Sequence, residues 1–208
     1  DKLAANHGVK VVQAEVTGID PAAKSVTTSK GTLTYDRLVL SPGIDFRLDE
    51  MKGYDAAAME VMPHAWKAGP QTVALRQQLE AMRDGGVYAI VIPLAPYRCP
   101  PGPYERACQI AWYLKQAKPK SKLIVLDANP DYVSKKPLFS RVFGEDYKGI
   151  VDYRVGSPVT EIDVKSGTLV TEIGDKVRGD VVNFIPPQRA ANIARDAGVI
   201  TANNRWCE

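Results

Sequence analysis

The stretch Ala95-Pro-Tyr-Arg-Cys-Pro-Pro-Gly-Pro-Tyr104 joins a continuous apolar run, Val87–Ile92, to a helical pattern over Pro103–Ala117. A second apolar run, Lys122–Asp127, follows that helix. Apolar runs of this length are typical of strands buried on both faces of a parallel sheet. The order strand, helix, strand therefore predicts a β-α-β unit with a right-handed crossover, and so an α/β protein with a Rossmann-like parallel sheet.

The turn of such a unit is where a glycine-rich phosphate loop belongs, because glycines allow the backbone to approach a pyrophosphate. Here prolines stand at positions 93, 96, 100, 101 and 103, and only Gly102 is permissive. Each proline removes a backbone N–H donor. Asp127 ends the second strand, where a ribose-binding acid would stand, but without the glycines we interpret it as an ordinary strand-end residue. The sequence predicts that this unit does not bind a pyridine nucleotide.

The same turn carries a thiol, Cys99, beside Arg98 and just before a predicted helix start. A neighbouring cation and a helix N-terminus both favour the thiolate, which is the reactive form of cysteine. A reactive role and an inert structural role are equally compatible with this pattern. Cys108 lies among apolar residues of the helix, which favours packing. Cys207 is placed in a loop, and a bridge within the chain would best join Cys99 to Cys207, since both are predicted in loops.

The chain contains an internal repeat of a strand meander followed by a strand. Val16-Thr-Gly-Ile-Asp20 matches Val159-Thr-Glu-Ile-Asp163, and the Asp36–Pro42 segment matches Asp180–Pro186. The sequence thus predicts two related nucleotide-binding-like domains, with the second inserted into the first. The expected boundaries are 1–48 for the tail of the first domain, 49–70 for a connector, 71–186 for the inserted domain and 187–208 for the return segment.

Local patterns predict further elements outside the β-α-β unit. Strands are expected over 8–16, 25–29 and 32–40, the last ending at Ser41-Pro42-Gly43. Residues 44–70 are expected to be irregular, with Trp66 and His64 packed in a linker rather than forming a partner surface. A helix is expected over 72–84 with Thr72 as its N-cap, and a helical segment over 190–197.

Composition excludes several classes of protein. The net charge of +3 is too small to indicate nucleic-acid binding. No apolar run approaches the roughly 20 residues of a membrane span, and no signal-peptide pattern is present. The two histidines lack metal-ligand spacing and no Cys-x-x-Cys occurs, so no metal site is predicted. The chain begins and ends in mid-pattern, which suggests a piece of a longer protein.

Four segments resemble one known family: Pro63-His-Ala-Trp-Lys-Ala-Gly69, Tyr97-Arg-Cys-Pro-Pro-Gly-Pro-Tyr-Glu-Arg106, Lys120-Ser-Lys122 and Ile185-Pro-Pro-Gln-Arg189. They are similar to the flavoprotein subunit of flavocytochrome c sulfide dehydrogenase, within the glutathione-reductase-like flavoproteins. The resemblance covers nearly the whole chain. It implies an NAD-domain-like insertion, which does not use a nicotinamide cofactor, beside a partial FAD-domain segment.

The resemblance further implies a periplasmic enzyme that oxidises sulfide with FAD and passes electrons to a c-type cytochrome subunit. By motif match, Cys99 and Cys207 would form the redox-active cysteine pair, with Arg98 stabilising a leaving thiolate. Val16 and the Ser41-Pro42-Gly43 segment would approach the FAD.

This chain also departs from the family pattern. The glycine-rich FAD fingerprint and the C-terminal part of the FAD site are missing, and position 108 is Cys where a small polar residue is expected. We therefore expect the isolated chain to be inactive and free of FAD. Two alternatives stay open: a fragment of a sulfide:quinone oxidoreductase, and a non-catalytic α/β interaction domain.

Overall fold

The computed structural model describes residues 2–207 and contains six α-helices and fourteen strands in that range. In chain order the helices are α1 (Lys2–Asn6), α2 (Ala56–Val61), α3 (Pro70–Ala81), α4 (Gly102–Ala117), α5 (Lys136–Arg141) and α6 (Asn192–Asp196). The strands are β1 (Val16–Asp20), β2 (Ser25–Thr28), β3 (Gly31–Thr34), β4 (Ile44–Phe46), β5 (Val87–Ile92), β6 (Lys122–Asp127), β7 (Val151–Arg154), β8 (Val159–Asp163), β9 (Thr168–Thr171), β10 (Lys176–Arg178), β11 (Val181–Phe184), β12 (Gln188–Ala190), β13 (Ile200–Ala202) and β14 (Trp206–Cys207). A 3₁₀-helix spans Leu48–Glu50 and a π-helix spans Val142–Asp146.

The chain divides into two compact units, one formed by residues 1–45 with 189–208 and the other by residues 46–188. The larger unit is built on a four-stranded parallel sheet in the order β11-β5-β6-β7. The predicted β-α-β unit is confirmed: β5, α4 and β6 lie where the sequence placed them, and β5 pairs with β6 in parallel. The boundaries proposed at 48, 70 and 186 remain predictions about domains.

Both faces of the parallel sheet are covered. On one face, Ala89, Val91 and Phe184 pack with Tyr54 and Leu169 in a buried cluster that includes the antiparallel meander β8-β9-β10. Successive side chains of a strand point to opposite faces, so Tyr88, Ile90 and Ile92 point to the other side. That side carries α3 and α4, whose buried residues are Leu75, Leu79, Ala107, Ile110, Ala111 and Leu114.

The smaller unit contains the first meander, β1-β2-β3, which is antiparallel like β8-β9-β10. The first half of the predicted repeat is therefore confirmed. The second half is wrong, because 180–186 contains β11 whereas 36–42 contains no strand. The strand expected over 32–40 ends at Thr34, and Val39 is 90% exposed. A strand needs a neighbour for its backbone groups, and the described residues pair none with this segment.

Other local predictions also need correction. The strand expected over 8–16 begins only at Val16, and Val11 is exposed. The segment 44–70 is not irregular throughout, since it contains β4 and α2, where Asp55 caps the helix by accepting from the Ala58 N–H at 2.8 Å. Thr72 is not an N-cap: α3 begins at Pro70, and the Thr72 hydroxyl donates to the Gly69 carbonyl. The helical segment over 190–197 shortens to α6, and Cys207 lies in β14 rather than in a loop.

Candidate functional site

Cys99 lies on an exposed loop immediately before α4 and adopts a left-handed backbone conformation with φ of 61°. Residues with side chains seldom adopt positive φ, and such strained positions cluster at functional sites. The Gly102 N–H at the start of α4 donates to the Cys99 carbonyl at 2.9 Å. A Cβ at position 102 would lie 3.0 Å from Cys99 Sγ and 2.9 Å from Trp66 Cη2. Gly102 thus lets the thiol lie against the helix start and the indole ring.

Arg98 fastens this loop through its backbone as well as its side chain. Its N–H donates to Gln188 Oε1 at 2.9 Å, and its carbonyl accepts from Trp66 Nε1 at 3.1 Å. The Arg98 guanidinium also donates to the Trp66 carbonyl. Because Trp66 and Gln188 are distant in sequence, the position of the thiol depends on long-range contacts.

The segment Pro63–Trp66 that receives the loop is held by two polar side chains from the sheet and from α4. Arg106 donates to the His64 carbonyl at 2.9 Å, to the Ala65 carbonyl at 2.7 Å and to Asn183 Oδ1 at 2.9 Å. Asn183, which is fully buried in β11, donates to the Pro63 and His64 carbonyls at 2.7 and 2.9 Å. The expectation that His64 and Trp66 pack within a linker is confirmed, since each is only 7% exposed.

His64 completes this support in its neutral form. Burial, together with the charges of Lys67 and Arg106, lowers its pKa to about 4. Its Nδ1 accepts from the Trp66 N–H at 2.9 Å, and its ring packs 4.2 Å from that of Phe46 between centroids. At neutral pH the unprotonated ring nitrogen therefore fixes the backbone of Trp66, the residue against which the thiol lies.

Asp127 is buried at the end of β6 and its carboxylate is fully occupied by neighbours. One oxygen accepts from the hydroxyls of Tyr104 and Tyr153, both at 2.8 Å. The other accepts from the backbone and side-chain N–H groups of Asn129 at 2.9 and 2.7 Å. Asn129 Oδ1 in turn accepts from the Ala95 N–H at 2.9 Å. Asp127 thus holds the beginning of the Cys99 loop, which is a structural role.

The Cys99 loop borders a cavity of about 300 Å³. Its lining includes Trp66, the thiol of Cys99 and two arginines, Arg98 and Arg106, with Glu105 as the one acidic residue. A small anion that approaches the Cys99 sulfur therefore meets an excess of positive charge. The geometry brings together Cys99 and Arg98, as predicted. It adds Arg106, Trp66 and Gly102, which were not predicted as site residues. Arg106 and Gly102 both lie within the 97–106 motif.

The remaining predicted site residues belong to the smaller unit. Cys207 lies in β14 and borders a cavity of about 370 Å³ with Tyr35, Arg37 and Leu40. Val16 begins β1, and Ser41, Pro42 and Gly43 are exposed in the segment before β4. Cys99, Cys108 and Cys207 are free thiols in the described chain. Because Cys99 and Cys207 lie in different units, their pairing stays a prediction.

FAD would be held only in part by these residues. Gly43 has φ of 80°, and a Cβ there would meet no atom within 4 Å, so this exposed backbone is open to a ligand. Within the described residues, the smaller unit carries no glycine-rich turn that leads into a helix of the length needed to bind a diphosphate. The residues present fit one edge of an FAD site.

The third thiol, Cys108, differs in its environment. It is half-buried on α4, and burial, followed by the charges of Glu105 and Asp146, raises its pKa to about 11. A thiol with such a pKa is protonated at neutral pH and is a poor nucleophile.

In the reduced chain at pH 8, iodoacetamide is expected to modify Cys99 and Cys207 and to leave Cys108 unmodified. The first two thiols are exposed, whereas Cys108 is protonated until the pH approaches 11. Peptide mass spectrometry at several pH values measures the three rates separately, with the urea-unfolded chain as the control in which all three react. Equal rates for Cys108 and Cys99 at pH 8 in the folded chain would contradict this assignment.

Residues 2–207 offer neither a cluster of metal-ligating side chains nor a helix suited to a membrane. No group of three or more His, Cys, Asp or Glu side chains in that range could hold a metal ion. None of the helices described there has the length and apolar character that crossing a membrane requires.

Comparison with solved structures shows the fold to be shared. The sulfide:quinone oxidoreductase of the hyperthermophilic bacterium Aquifex aeolicus matches 97% of this chain and 48% of its own, with a TM-score of 0.69 and 20% identity. The covalent putidaredoxin reductase–putidaredoxin complex matches 98% of this chain and 47% of its own at a TM-score of 0.65 and 20% identity. Reduced CoADR-RHD of Bacillus anthracis matches 98% of this chain and 35% of its own, with a TM-score of 0.63 and 13% identity. The chain thus spans half or less of the length of these proteins.

A family model gives a more specific result. The model for the central part of the sulfide dehydrogenase [flavocytochrome c] flavoprotein chain matches residues 72–186, which is more than half of this sequence. The match includes the Cys99 loop, α4, the parallel sheet and the second meander. The chain therefore belongs to the family of the flavoprotein chain of flavocytochrome c sulfide dehydrogenase.

Proposed function

We propose that this chain is the central part of an FAD-dependent sulfide dehydrogenase, in which Cys99 and Cys207 form a redox-active pair and electrons leave through a c-type cytochrome. Family membership supports the reaction class. The observation that carries the proposal is the Cys99 loop, where an exposed thiol in a strained conformation replaces the phosphate-binding turn. The compartment proposed is the periplasm, as the cytochrome partner implies.

The chemistry proposed is a thiol–disulfide exchange followed by oxidation of the thiols. Hydrosulfide attacks one sulfur of the Cys99–Cys207 disulfide, the S–S bond breaks, and one cysteine carries a persulfide while the other leaves as a thiolate. Loss of two electrons from the persulfide and the thiolate would then join them through a new S–S bond, with the sulfide sulfur held between the two cysteines. FAD, when bound, would supply the two-electron acceptance for this oxidation, and the c-type cytochrome would be the final acceptor.

The described residues around Cys99 suit the first step. The cavity lined by Arg98 and Arg106 attracts an anionic sulfur nucleophile. The start of α4 lies against the Cys99 sulfur, where the partial positive charge of a helix N-terminus stabilises a thiolate. The guanidinium of Arg98 donates to the Trp66 carbonyl, so its charge is held beside the Cys99 loop.

FAD in the full-length protein would contact Val16 and the Ser41-Pro42-Gly43 segment of the smaller unit. These four residues are partly or fully exposed, so their backbone is accessible to a ligand. The isolated chain is proposed to be inactive, because it supplies only this edge of the flavin site.

The test uses the full-length protein with the cytochrome subunit. Cys99→Ser is expected to slow flavin reduction by sulfide about 10³-fold or more, since it removes the sulfur that reacts. Cys108→Ser is the matched control and is expected to keep the native rate, because the Cys108 thiol is protonated and lies outside the Cys99 cavity. Anaerobic stopped-flow absorbance of the flavin measures both variants. A Cys99→Ser protein that reduces flavin at the native rate would sink the proposal.

A further inference from the structure

A second cavity of about 600 Å³ lies in the larger unit between α3 and α4, above β5. Its walls are mostly apolar and include Leu75 and Leu79 from α3, Ile110 and Trp112 from α4, and Tyr147. The Cys99 sulfur does not line it. This volume lies within the range of small-molecule sites, which combine apolar walls with a few polar groups that fix orientation.

One polar group at the inner end of the cavity has no partner. Tyr88 on β5 is fully buried, and its hydroxyl makes no hydrogen bond to any of residues 2–207. A buried hydroxyl without a partner costs free energy that phenylalanine at the same place would not. Burial raises the pKa of Tyr88, so the hydroxyl keeps its proton and remains a donor. The hydroxyl has no exposed surface, so an acceptor that enters the cavity reaches it only by displacing the side chains that cover it.

The second polar group is the guanidinium of Arg106, which also lines this cavity. Its three hydrogen bonds go to neutral oxygens, and no carboxylate within the described chain pairs with it. Burial lowers the pKa of Arg106, and Tyr88 partly offsets this effect. A half-buried cation that is hydrogen-bonded only to neutral oxygens attracts an anion that comes within reach.

The entrance of the cavity presents an aromatic surface. Trp112 on α4 is 58% exposed, and Tyr113 stands beside it in the lining. Large exposed aromatic side chains at the rim of an apolar cavity favour a ligand with a flat body, because ring packing adds to burial of apolar area. The deep end thus offers a donor and a positive charge, and the entrance offers rings.

We propose that the cavity between α3 and α4 binds a small aromatic carboxylate. The carboxylate accepts from the Tyr88 hydroxyl and is attracted by Arg106, while the aromatic body packs between Leu79 and Trp112. This site shares Arg106 with the Cys99 cavity, but it involves no sulfur chemistry and does not depend on the proposed function. No covalent step takes place there.

Binding is tested with 2-naphthoate and its neutral analogue 2-naphthamide on the 208-residue chain, by calorimetric titration and ligand-observed NMR. Naphthoate is expected to saturate one site and to bind at least about tenfold more tightly than the amide, because a charged acceptor gains more from a guanidinium than a neutral one. Equal affinity for the two compounds, or no saturation with naphthoate at millimolar concentration, would overturn the proposal.

Variants locate the binding. Tyr88→Phe is expected to weaken the binding of naphthoate about tenfold. The melting temperature of this variant is expected to stay unchanged or to rise, since only an unpaired hydroxyl is lost. Trp112→Ala is expected to weaken the binding of both compounds, and it provides the test if Tyr88→Phe does not fold. Val73→Ala is the matched control, because Val73 is equally exposed on α3 but does not line the cavity.

Two further outcomes would also refute the assignment. Unchanged naphthoate affinity in both Tyr88→Phe and Trp112→Ala would place the ligand elsewhere. Sedimentation experiments could also show that the chain forms a dimer. If Trp112→Ala dissociated this dimer and naphthoate did not, the surface would be assigned to a second copy of this chain.

Discussion

Arg106→Met is expected to lower the free energy of unfolding by about 3 kcal/mol, because it leaves the Ala65 carbonyl and Asn183 Oδ1 without a donor and removes one of the two donors to the His64 carbonyl. Methionine fills much of the volume of arginine but cannot donate to the His64 and Ala65 carbonyls or to Asn183 Oδ1. The contact of the guanidinium with the Trp66 ring, 4.8 Å from its centroid, is lost as well. The Pro63–Trp66 segment, and with it the Cys99 loop, is then no longer fastened to the sheet.

Urea denaturation followed by far-UV circular dichroism and tryptophan fluorescence measures this loss. Arg76→Met is the matched control: Arg76 is exposed on α3 and paired only with Glu80 one turn away, so no change is expected. Arg106→Lys is expected to fall between the two, since lysine retains the charge but cannot bridge several carbonyls with a fixed fork. An Arg106→Met chain with the wild-type denaturation midpoint would show that this arginine does not stabilise the fold.

Asp127→Val is expected to be about as damaging, with a loss of 3 kcal/mol or more, because four donors lose a shared buried acceptor. The hydroxyls of Tyr104 and Tyr153 and both N–H groups of Asn129 are directed at this carboxylate. Through Asn129, the same change releases Ala95 at the beginning of the Cys99 loop. The alkylation rate of Cys99 is therefore expected to change together with stability.

Asp131→Val provides the comparison for this prediction. Asp131 follows β6 by four positions, its side chain is 47% exposed, and it forms a surface pair with Lys136. Its replacement is expected to leave the denaturation midpoint and the Cys99 alkylation rate unchanged. If Asp127→Val and Asp131→Val behaved alike, the buried network would have no structural role.

The β-α-β unit within the larger unit could be predicted from sequence because its signals are local, whereas α2 was missed in a segment expected to be irregular. The apolar runs of β5 and β6 and the helical spacing of Ala107, Ile110, Ala111 and Leu114 require no partner to be recognised. The strands expected over 8–16 and 32–40 failed for the opposite reason. A strand depends on a neighbour for its hydrogen bonds, and an apolar stretch such as the one containing Val39 does not show whether a neighbour is present.

The candidate site likewise contains features that could be predicted from sequence and features that could not. The thiol before α4 was predictable, because a cysteine in place of a phosphate loop is visible in a few consecutive residues. The roles of Arg106 and Asn183 were not, since these side chains act on a segment that lies far away in the chain. Asn183 and Pro63 are 120 positions apart, and Arg98 and Gln188 are 90 positions apart.

The sequence by itself determined the order strand, helix, strand of the β-α-β unit, the turn filled with prolines and the place of Cys99 at the start of a helix. Each of these follows from backbone preferences and apolar spacing over a few residues. Only the tertiary structure decided what the thiol lies against, which charges line its cavity, and that Asp127 is occupied by tyrosines and Asn129. Those properties depend on which buried polar groups meet once the sheet has formed, and the partners of these groups come from across the fold rather than from nearby along the chain.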